Sequence, residues 1–233
     1  MDDSPSQRIA ANVAAVRVRI AAAARRAGRD PDAVTLVAVT KKVSIDVAGL
    51  LIDSGTVDLG ENRVQEAERK YAALGDRARW HMIGHLQRNK VKNVLRWSNT
   101  IHSVDSERLL REIARRAESL EVTPDLFLEV NISGEESKFG LDPDEASRVA
   151  ALSLDMPAVT VRGLMTMAPF DPDPEAARPH FARLARLAGA IRDSGDGGEK
   201  FDLLSMGMSG DFEVAVEEGA THIRVGTALF EGL

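Results

Sequence analysis

The sequence predicts one α/β domain over residues 1–233, folded as a closed (β/α)8 barrel of the TIM type with an extra helix in front. Three observations carry this. Eight short apolar runs recur along the chain, each the length of a strand buried on both faces. Polar or Gly-containing turns and helical segments separate them, so strand and helix alternate as a parallel sheet requires. No break in composition divides the chain, whose length suits a single barrel.

Residues 7–27 come first, with Ile9, Val13, Val16 and Ile20 on one helical face and Gly28 as a stop. The expected strands are 34–40 (VTLVAVT), 57–60 (VDLG), 79–84 (RWHMIG), 100–104 (TIHSV), 125–132 (DLFLEVNI), 159–166 (VTVRGLMT), 201–206 (FDLLSM) and 221–226 (THIRVG). Helices are expected at 45–54, 63–74, 87–95, 106–119, 144–152, 174–194 and 211–218. A doubly wound open sheet is the competing arrangement, but no GxGxxG follows the first strand. The stretches FDPDPEAARP and DSGDGGEK read as surface loops.

Composition narrows the function. The 36 acidic and 30 basic residues leave a net charge of −6, which argues against a general nucleic-acid or anionic-membrane binder. Cys is absent, which removes disulfides, thiolate nucleophiles and cysteine metal sites. The start MDDSPSQRIA lacks the form of a secretory signal, and no window reaches the ~18 apolar residues of a membrane span, so a cytoplasmic protein is expected. No apolar surface patch is evident in the sequence, and a monomer is expected.

Active sites of such barrels lie at the C-terminal ends of the strands. The ends of the seventh and eighth strands, SMGMSGD and RVGT, are small, hydroxyl- and Gly-rich turns whose N–H groups can approach an anion, with Asp211 placed to cap the next helix. Together they suggest a phosphate site. The first strand ends in Lys41 and Lys42. Alternation sends these to opposite sides if the strand continues, so at most one enters the barrel. A desolvated lysine amine can form a Schiff base with an aldehyde; on this stretch alone, both lysines read as strand-end cations reaching for water. An amine and a phosphate site at one barrel mouth suit pyridoxal phosphate, or an aldolase acting on a phosphorylated substrate.

His81 and His85 lie four apart, but Gly84 intervenes and no third ligand is apparent, so a hydrogen-bonded site or core role is expected rather than a metal pair. His102, His180 and His222 receive no role. Arg88, Lys90, Lys92 and Arg96 read as a solvated helix face.

The motifs LVAVTK, LGENRVQE, WHMIGHLQRNK, IHSVDS, LEVNIS with SKFG, VRGLMTM and LSMGMSGDFEVAVEEGATHIRVGTALF together resemble the pyridoxal phosphate homeostasis protein family, also called proline synthase co-transcribed proteins. The resemblance runs over nearly the whole chain. It implies a barrel like the N-terminal domain of alanine racemase, carrying pyridoxal 5'-phosphate for vitamin B6 and amino-acid homeostasis without established turnover, with transient contact to apoenzymes that use the cofactor. It makes Lys41 the Schiff-base residue, while Lys42 falls at a variable position. Ser205, Gly207, Met208, Ser209, Gly226 and Thr227 then line the phosphate, and Arg224 faces the pyridine nitrogen. Asn62, His81, Ser103, Asn131 and Met165 fall on pocket-lining positions. Two departures are the missing proline in TKKVS and a chain that stops at FEGL, short of the usual tail.

An arginine at the pyridine nitrogen only donates a hydrogen bond, leaving the ring a weak electron sink. That disfavours decarboxylation and transamination but leaves racemisation, which needs a second acid/base on the far face. In alanine racemase that group resembles a tyrosine from the partner subunit's second domain. The single tyrosine here, Tyr71, belongs to a helix expected outside the barrel, and the second domain has no counterpart in the sequence. The expectation is a cofactor carrier; an amino-acid racemase, an aldolase and a regulator with a vestigial site are the alternatives.

Overall fold

The computed structural model describes residues 4–135 and 139–233. Its eight parallel strands close in sequence order, β1 (Thr35–Val39), β2 (Asp58–Glu61), β3 (Arg79–Met82), β4 (Thr100–Val104), β5 (Asp125–Glu129), β6 (Thr160–Met165), β7 (Leu203–Ser205) and β8 (His222–Val225), with β8 pairing back onto β1. Every expected strand is present, and the barrel replaces the open-sheet alternative.

The first helix, α1 (Pro5–Arg26), has a capping box: the Gln7 N–H donates to Ser4 Oγ, and the Ser4 N–H donates to Gln7 Oε1. Pro5 sits at the first helical position, where its missing N–H costs nothing. The helix buries Ile9, Val13, Val16 and Ile20, the predicted face. After β1 to β7 come α2 (Ile45–Asp53), α3 (Val64–Leu74), α4 (Val91–Val94), α5 (Glu107–Leu120), α6 (Pro143–Ser153), α7 (Arg178–Ser194) and α8 (Phe212–Glu217). Only a 3-10 turn, Thr227–Leu229, follows β8. Helix α1 takes the vacant place in the outer ring, packing against α8 and α2. Arg19 reaches Glu213 at 2.6 Å and lies over the Phe212 ring, and Arg26 reaches Glu217 at 2.7 Å. These exposed pairs are each worth about 0–1 kcal/mol, so the buried apolar stripe holds the helix in place.

Several boundaries moved for local reasons. Strand β1 stops at Val39 because Thr40 to Val43 form a turn closed by the Val43 N–H on the Thr40 carbonyl. Strand β5 stops at Glu129, and Val130 only bridges to Leu141. The 87–95 segment divides into a 3-10 turn (Arg88–Lys90) and the short α4, and the 174–194 segment opens with a 3-10 turn (Pro174–Ala177).

Alternate residues of each strand face opposite ways. Leu36, Ala38, Leu59, Trp80, Met82, Ile101, Leu126, Leu128 and Leu164 pack outward against the helices. On α5, Leu109, Leu110, Ile113 and Ala117 form the matching stripe. Such barrels are usually filled by layers of branched aliphatic side chains. Here Val37, Phe127 and Met165 share the interior with His81, His102, Glu129, Ser205 and Arg224.

Candidate functional site

A cavity of about 820 Å³ opens at the C-terminal end of the barrel, within the usual range for small-molecule sites. The turn after β1 contributes Lys41, Lys42 and Val43, and the end of β2 contributes Asn62. Met208, Ser209, Gly210 and Asp211 come from the turn after β7, and Arg224, Gly226 and Thr227 from β8 and its turn. Met167, Pro169 and Phe170 add an apolar rim, Phe170 being 95% exposed.

Both lysines line this cavity and both are exposed. The expectation that Lys42 points away rested on alternation along a strand, and the strand has already turned. The root of this turn is fixed from below. Lys70, on the inner face of α3 and 4% exposed, donates from Nζ to the Thr40 carbonyl at 2.5 Å and to Glu61 Oε1 at 2.6 Å. Thr40 Oγ1 donates to the same Glu61 oxygen at 2.5 Å. Glu61 Oε2 is buried without a partner among the described residues, as is the adjacent Asn62 Oδ1.

The two turns after β7 and β8 are tied to each other. Arg224 N–H donates to the Gly207 carbonyl at 2.9 Å, and Gly226 N–H to Ser209 Oγ at 3.1 Å. Gly207 has φ +92°, and an added Cβ would sit 2.5 Å from the Ala215 Cβ, so both backbone and space require glycine. Asp211 precedes α8 but does not cap it; its carboxylate accepts the Met208 N–H at 2.6 Å. Burial raises the Asp211 pKa, against the pull of the Met208 N–H and Arg224. Met208 and Gly226 have therefore spent their N–H groups. Those of Ser209, Gly210 and Thr227 have no acceptor among the described residues.

Arg224 forms the floor. Its Nη1 donates to Ser205 Oγ at 2.6 Å and its Nη2 to the Thr166 carbonyl at 2.9 Å. Burial draws its pKa down to about 10, opposed by Glu129 and Asp211, so it remains a cation at neutral pH. Glu129 closes β5 nearby, 4% exposed; burial, then the charge of Asp105, pushes its carboxyl up to about 7 against the pull of Arg224.

Of the expected site residues, Lys41, Asn62, Met208, Ser209, Arg224, Gly226 and Thr227 meet around the cavity. Six others do not line it. Gly207 and Ser205 lie behind the wall, one shaping the turn and the other holding Arg224. Met165 is buried in register between Glu129 and Ser205. Ser103 Oγ donates to the Gly84 carbonyl at 2.6 Å. Asn131 ties its own loop, donating to the Glu135 carbonyl at 2.8 Å and accepting from the Gly134 N–H. His81 lies in the barrel interior, between His102 at 3.0 Å and Asp58 at 3.1 Å. His85 faces elsewhere, pairing with Asp105 at 3.0 Å and stacking on Phe139. Glu61 stood out in the sequence only as a strand-end residue beside Asn62, and Lys70 and Glu129 received no role; for Lys70 the signal was a lysine in register with Val64, Ala67 and Leu74 on the buried stripe of α3.

Residues 11–233 match the family model for the alanine racemase N-terminal domain. A pyridoxal phosphate homeostasis protein of Aquifex aeolicus is 42% identical over 213 residues, covering 91% of this chain and 92% of its own length. The chain belongs to the pyridoxal phosphate homeostasis protein family. Among solved structures, an unknown protein from Bifidobacterium adolescentis is 40% identical with a TM-score of 0.91, over 99% of this chain and 97% of that one. PipY of Synechococcus elongatus, solved with PLP bound, is 34% identical with a TM-score of 0.83, over 95% and 99%.

Proposed function

We propose that this protein binds pyridoxal 5'-phosphate at the barrel mouth, holds it as a Schiff base on Lys41, and serves intracellular cofactor and amino-acid homeostasis as a carrier. The observation that carries this reading is the donor set of one cavity. A lysine amine, the open N–H groups of Ser209, Gly210 and Thr227, and a buried guanidinium line the same walls. Each has a counterpart in the ligand: an aldehyde, a phosphate and a pyridine nitrogen. The residues present therefore fit the group, and the partnerless Asn62 Oδ1 can accept a hydrogen bond from its ring hydroxyl. The relatives' name and the PLP-bound PipY support the same ligand.

When bound, the cofactor supplies an electrophilic carbonyl and an aromatic ring able to delocalise charge. The chain's own residues act around it. Lys41 anchors, Ser209 and Thr227 with their turns hold the anion, and Arg224 donates to the ring nitrogen without protonating it. The single tyrosine is no acid/base for this pocket: Tyr71 packs edge-on to Trp80 with its hydroxyl 3.4 Å from Asp76, outside the barrel. We place the carrier in the cytoplasm as a monomer, passing cofactor to apoenzymes by transient contact.

The test is absorbance. Purified protein mixed with pyridoxal phosphate should show a visible band above that of the free aldehyde, absent in Lys41→Ala and kept in Lys42→Ala. Because both lysines line the cavity, the reverse pattern is a real alternative outcome, and it would move the anchor to Lys42. Enzyme-like racemisation of an amino acid by the wild-type protein would overturn the carrier reading.

A further inference from the structure

A continuous hydrogen-bond chain threads the interior of the barrel. It begins at the first residue of β2, where Asp58 is clamped by Arg79 Nε at 2.7 Å and Nη2 at 2.6 Å. Asp58 Oδ1 meets His81 Nε2 at 3.1 Å, and His81 Nδ1 meets His102 Nε2 at 3.0 Å. His102 Nδ1 then lies 2.7 Å from Ser205 Oγ, which accepts from Arg224 Nη1 at 2.6 Å. Strands β4 and β7 are not neighbours in the barrel, so the His102 to Ser205 step crosses the interior. His81, His102, Ser205 and Arg224 are all at most 4% exposed.

We propose that Asp58, His81, His102 and Ser205 are positioning residues that fix the direction of every hydrogen bond in this chain, and so the orientation of Arg224 at the cavity floor. The logic starts at Asp58. A carboxylate only accepts, so His81 donates from Nε2 and, in the singly protonated form that the proposal assigns to it, accepts at Nδ1. His102 donates that bond from Nε2 and therefore accepts at Nδ1. Ser205 donates its O–H to His102, which turns its lone pairs to Arg224. All donors point from the guanidinium toward the carboxylate, and no member is left unpaired. The opposite direction would place the Nε2 lone pair of His81 against the Asp58 oxygen, an acceptor facing an acceptor.

The surroundings hold this polarity. Arg79 and then His81 overcome the burial of Asp58 and keep it well below the usual carboxylate range. Burial, with His81, His222 and Arg224 nearby, drives His102 well below the usual imidazole range, and the ring stacks on Phe127 at 4.4 Å. His222 is pushed down to about 3, chiefly by burial, and its Nδ1 meets Thr221 Oγ1 at 3.0 Å, outside the chain. Glu129 and Asp211 act on Arg224 through their charges and oppose the effect of its burial.

The inference rests on the proposed cofactor site only for its effect on the ligand, and the test separates the two. In cofactor-free protein, long-range nitrogen NMR of the imidazole rings should show His81 and His102 each protonated at Nε2 and bare at Nδ1. Asp58→Leu removes the acceptor at the far end, so His102 should change to the Nδ1–H form. Arg79→Gln, which leaves the carboxylate in place, should not change it. Retention of pyridoxal phosphate should weaken by about 2- to 30-fold in Asp58→Leu, the range of remote coupling, and stay level in Arg79→Gln. An Nδ1–H or doubly protonated ring in wild type overturns the proposal whether or not Asp58→Leu folds. An altered His102 with unchanged cofactor retention also overturns it, by severing the chain from the pocket. Absence of any cofactor band in wild type would instead sink the proposed function and leave the ring assignments to decide the chain itself.

Discussion

Replacing Glu129 by Gln should make the protein more stable at neutral pH and change nothing near pH 4.5. Glu129, a residue only 4% exposed, ends β5, and its carboxyl makes no hydrogen bond or ion pair among the described residues. Burial and Asp105 hold its proton on up to about pH 7, against 4.5 in an unfolded chain. Between those values the unfolded state has released the proton and the folded state has kept it, so folded protein binds more protons and stability falls as pH rises. At ~1.36 kcal/mol per pH unit the full penalty is about 3 kcal/mol, complete above pH 7 and absent below 4.5. Gln keeps the shape and has no proton to lose. Urea unfolding of wild type and Glu129→Gln, followed by circular dichroism at pH 4.5, 6, 7 and 8, should give a difference that grows from near zero to about 3 kcal/mol in favour of the variant. A difference constant across the series would refute the reasoning, because it would mean that Glu129 is as well solvated in the barrel as in the unfolded chain.

Further outcomes follow from the same geometry. Lys70→Met should cost about 3–5 kcal/mol in urea unfolding by stranding the Glu61 carboxylate, with much of the loss recovered when Glu61→Gln is added; a single-variant loss below about 1 kcal/mol would contradict the ion pair. Gly207→Ala should cost about 1–3 kcal/mol and weaken retention of pyridoxal phosphate, since the positive φ and the Ala215 contact both resist a Cβ; an unchanged thermal midpoint would contradict that contact. Ser4→Ala should lower stability by about 1 kcal/mol through loss of the α1 cap, with no effect on cofactor absorbance.

The strands were legible because buried parallel strands read as short apolar runs, and eight of them at this spacing leave few architectures. The site was legible only as far as strand ends. The region 205–209 was expected as one phosphate-lining set, yet in the folded turn Ser205 points down to Arg224 while Ser209 reaches across to Gly226. Sequence order cannot separate these, because the split depends on where β7 stops and the turn begins. His102 received no role at all. Its sequence signal was a polar residue between Ile101 and Ser103 in a buried strand, but its partner Ser205 lies 103 positions away across the barrel. That meeting is set by the stagger of the closed sheet, which a single strand does not encode. Lys42 failed for the opposite reason: a local turn at Thr40 to Val43 ended the alternation on which the expectation depended.

Among the described residues, buried side-chain atoms without partners occur at both ends of the barrel: Thr56 Oγ1 and Trp97 Nε1 precede β2 and β4, while Glu61 Oε2 and Asn62 Oδ1 lie at the C-terminal end of β2. Buried side-chain atoms without partners are rare in folded proteins, because each costs about 1–3 kcal/mol. At the N-terminal end, Asp58 takes three hydrogen bonds and the histidine chain above it closes without a vacancy. At the C-terminal end, Glu61 Oε2 and Asn62 Oδ1 have no partner, burial makes ionisation of Glu129 costly, and the N–H groups of Ser209, Gly210 and Thr227, residues that line the cavity, have no acceptor among the described residues. A barrel selected for stability alone would fill its interior with aliphatic layers and leave neither end polar. This one holds a single guanidinium through a bonded chain of histidines and Ser205, and places Asn62 Oδ1 and the unpaired N–H groups of Ser209, Gly210 and Thr227 on residues that line the cavity, where a ligand with an aldehyde, a hydroxyl and a phosphate can meet them. A ligand that reaches Asn62 Oδ1 should therefore stabilise the fold by more than the anion site alone provides, because it also satisfies an atom that the free protein buries at a loss.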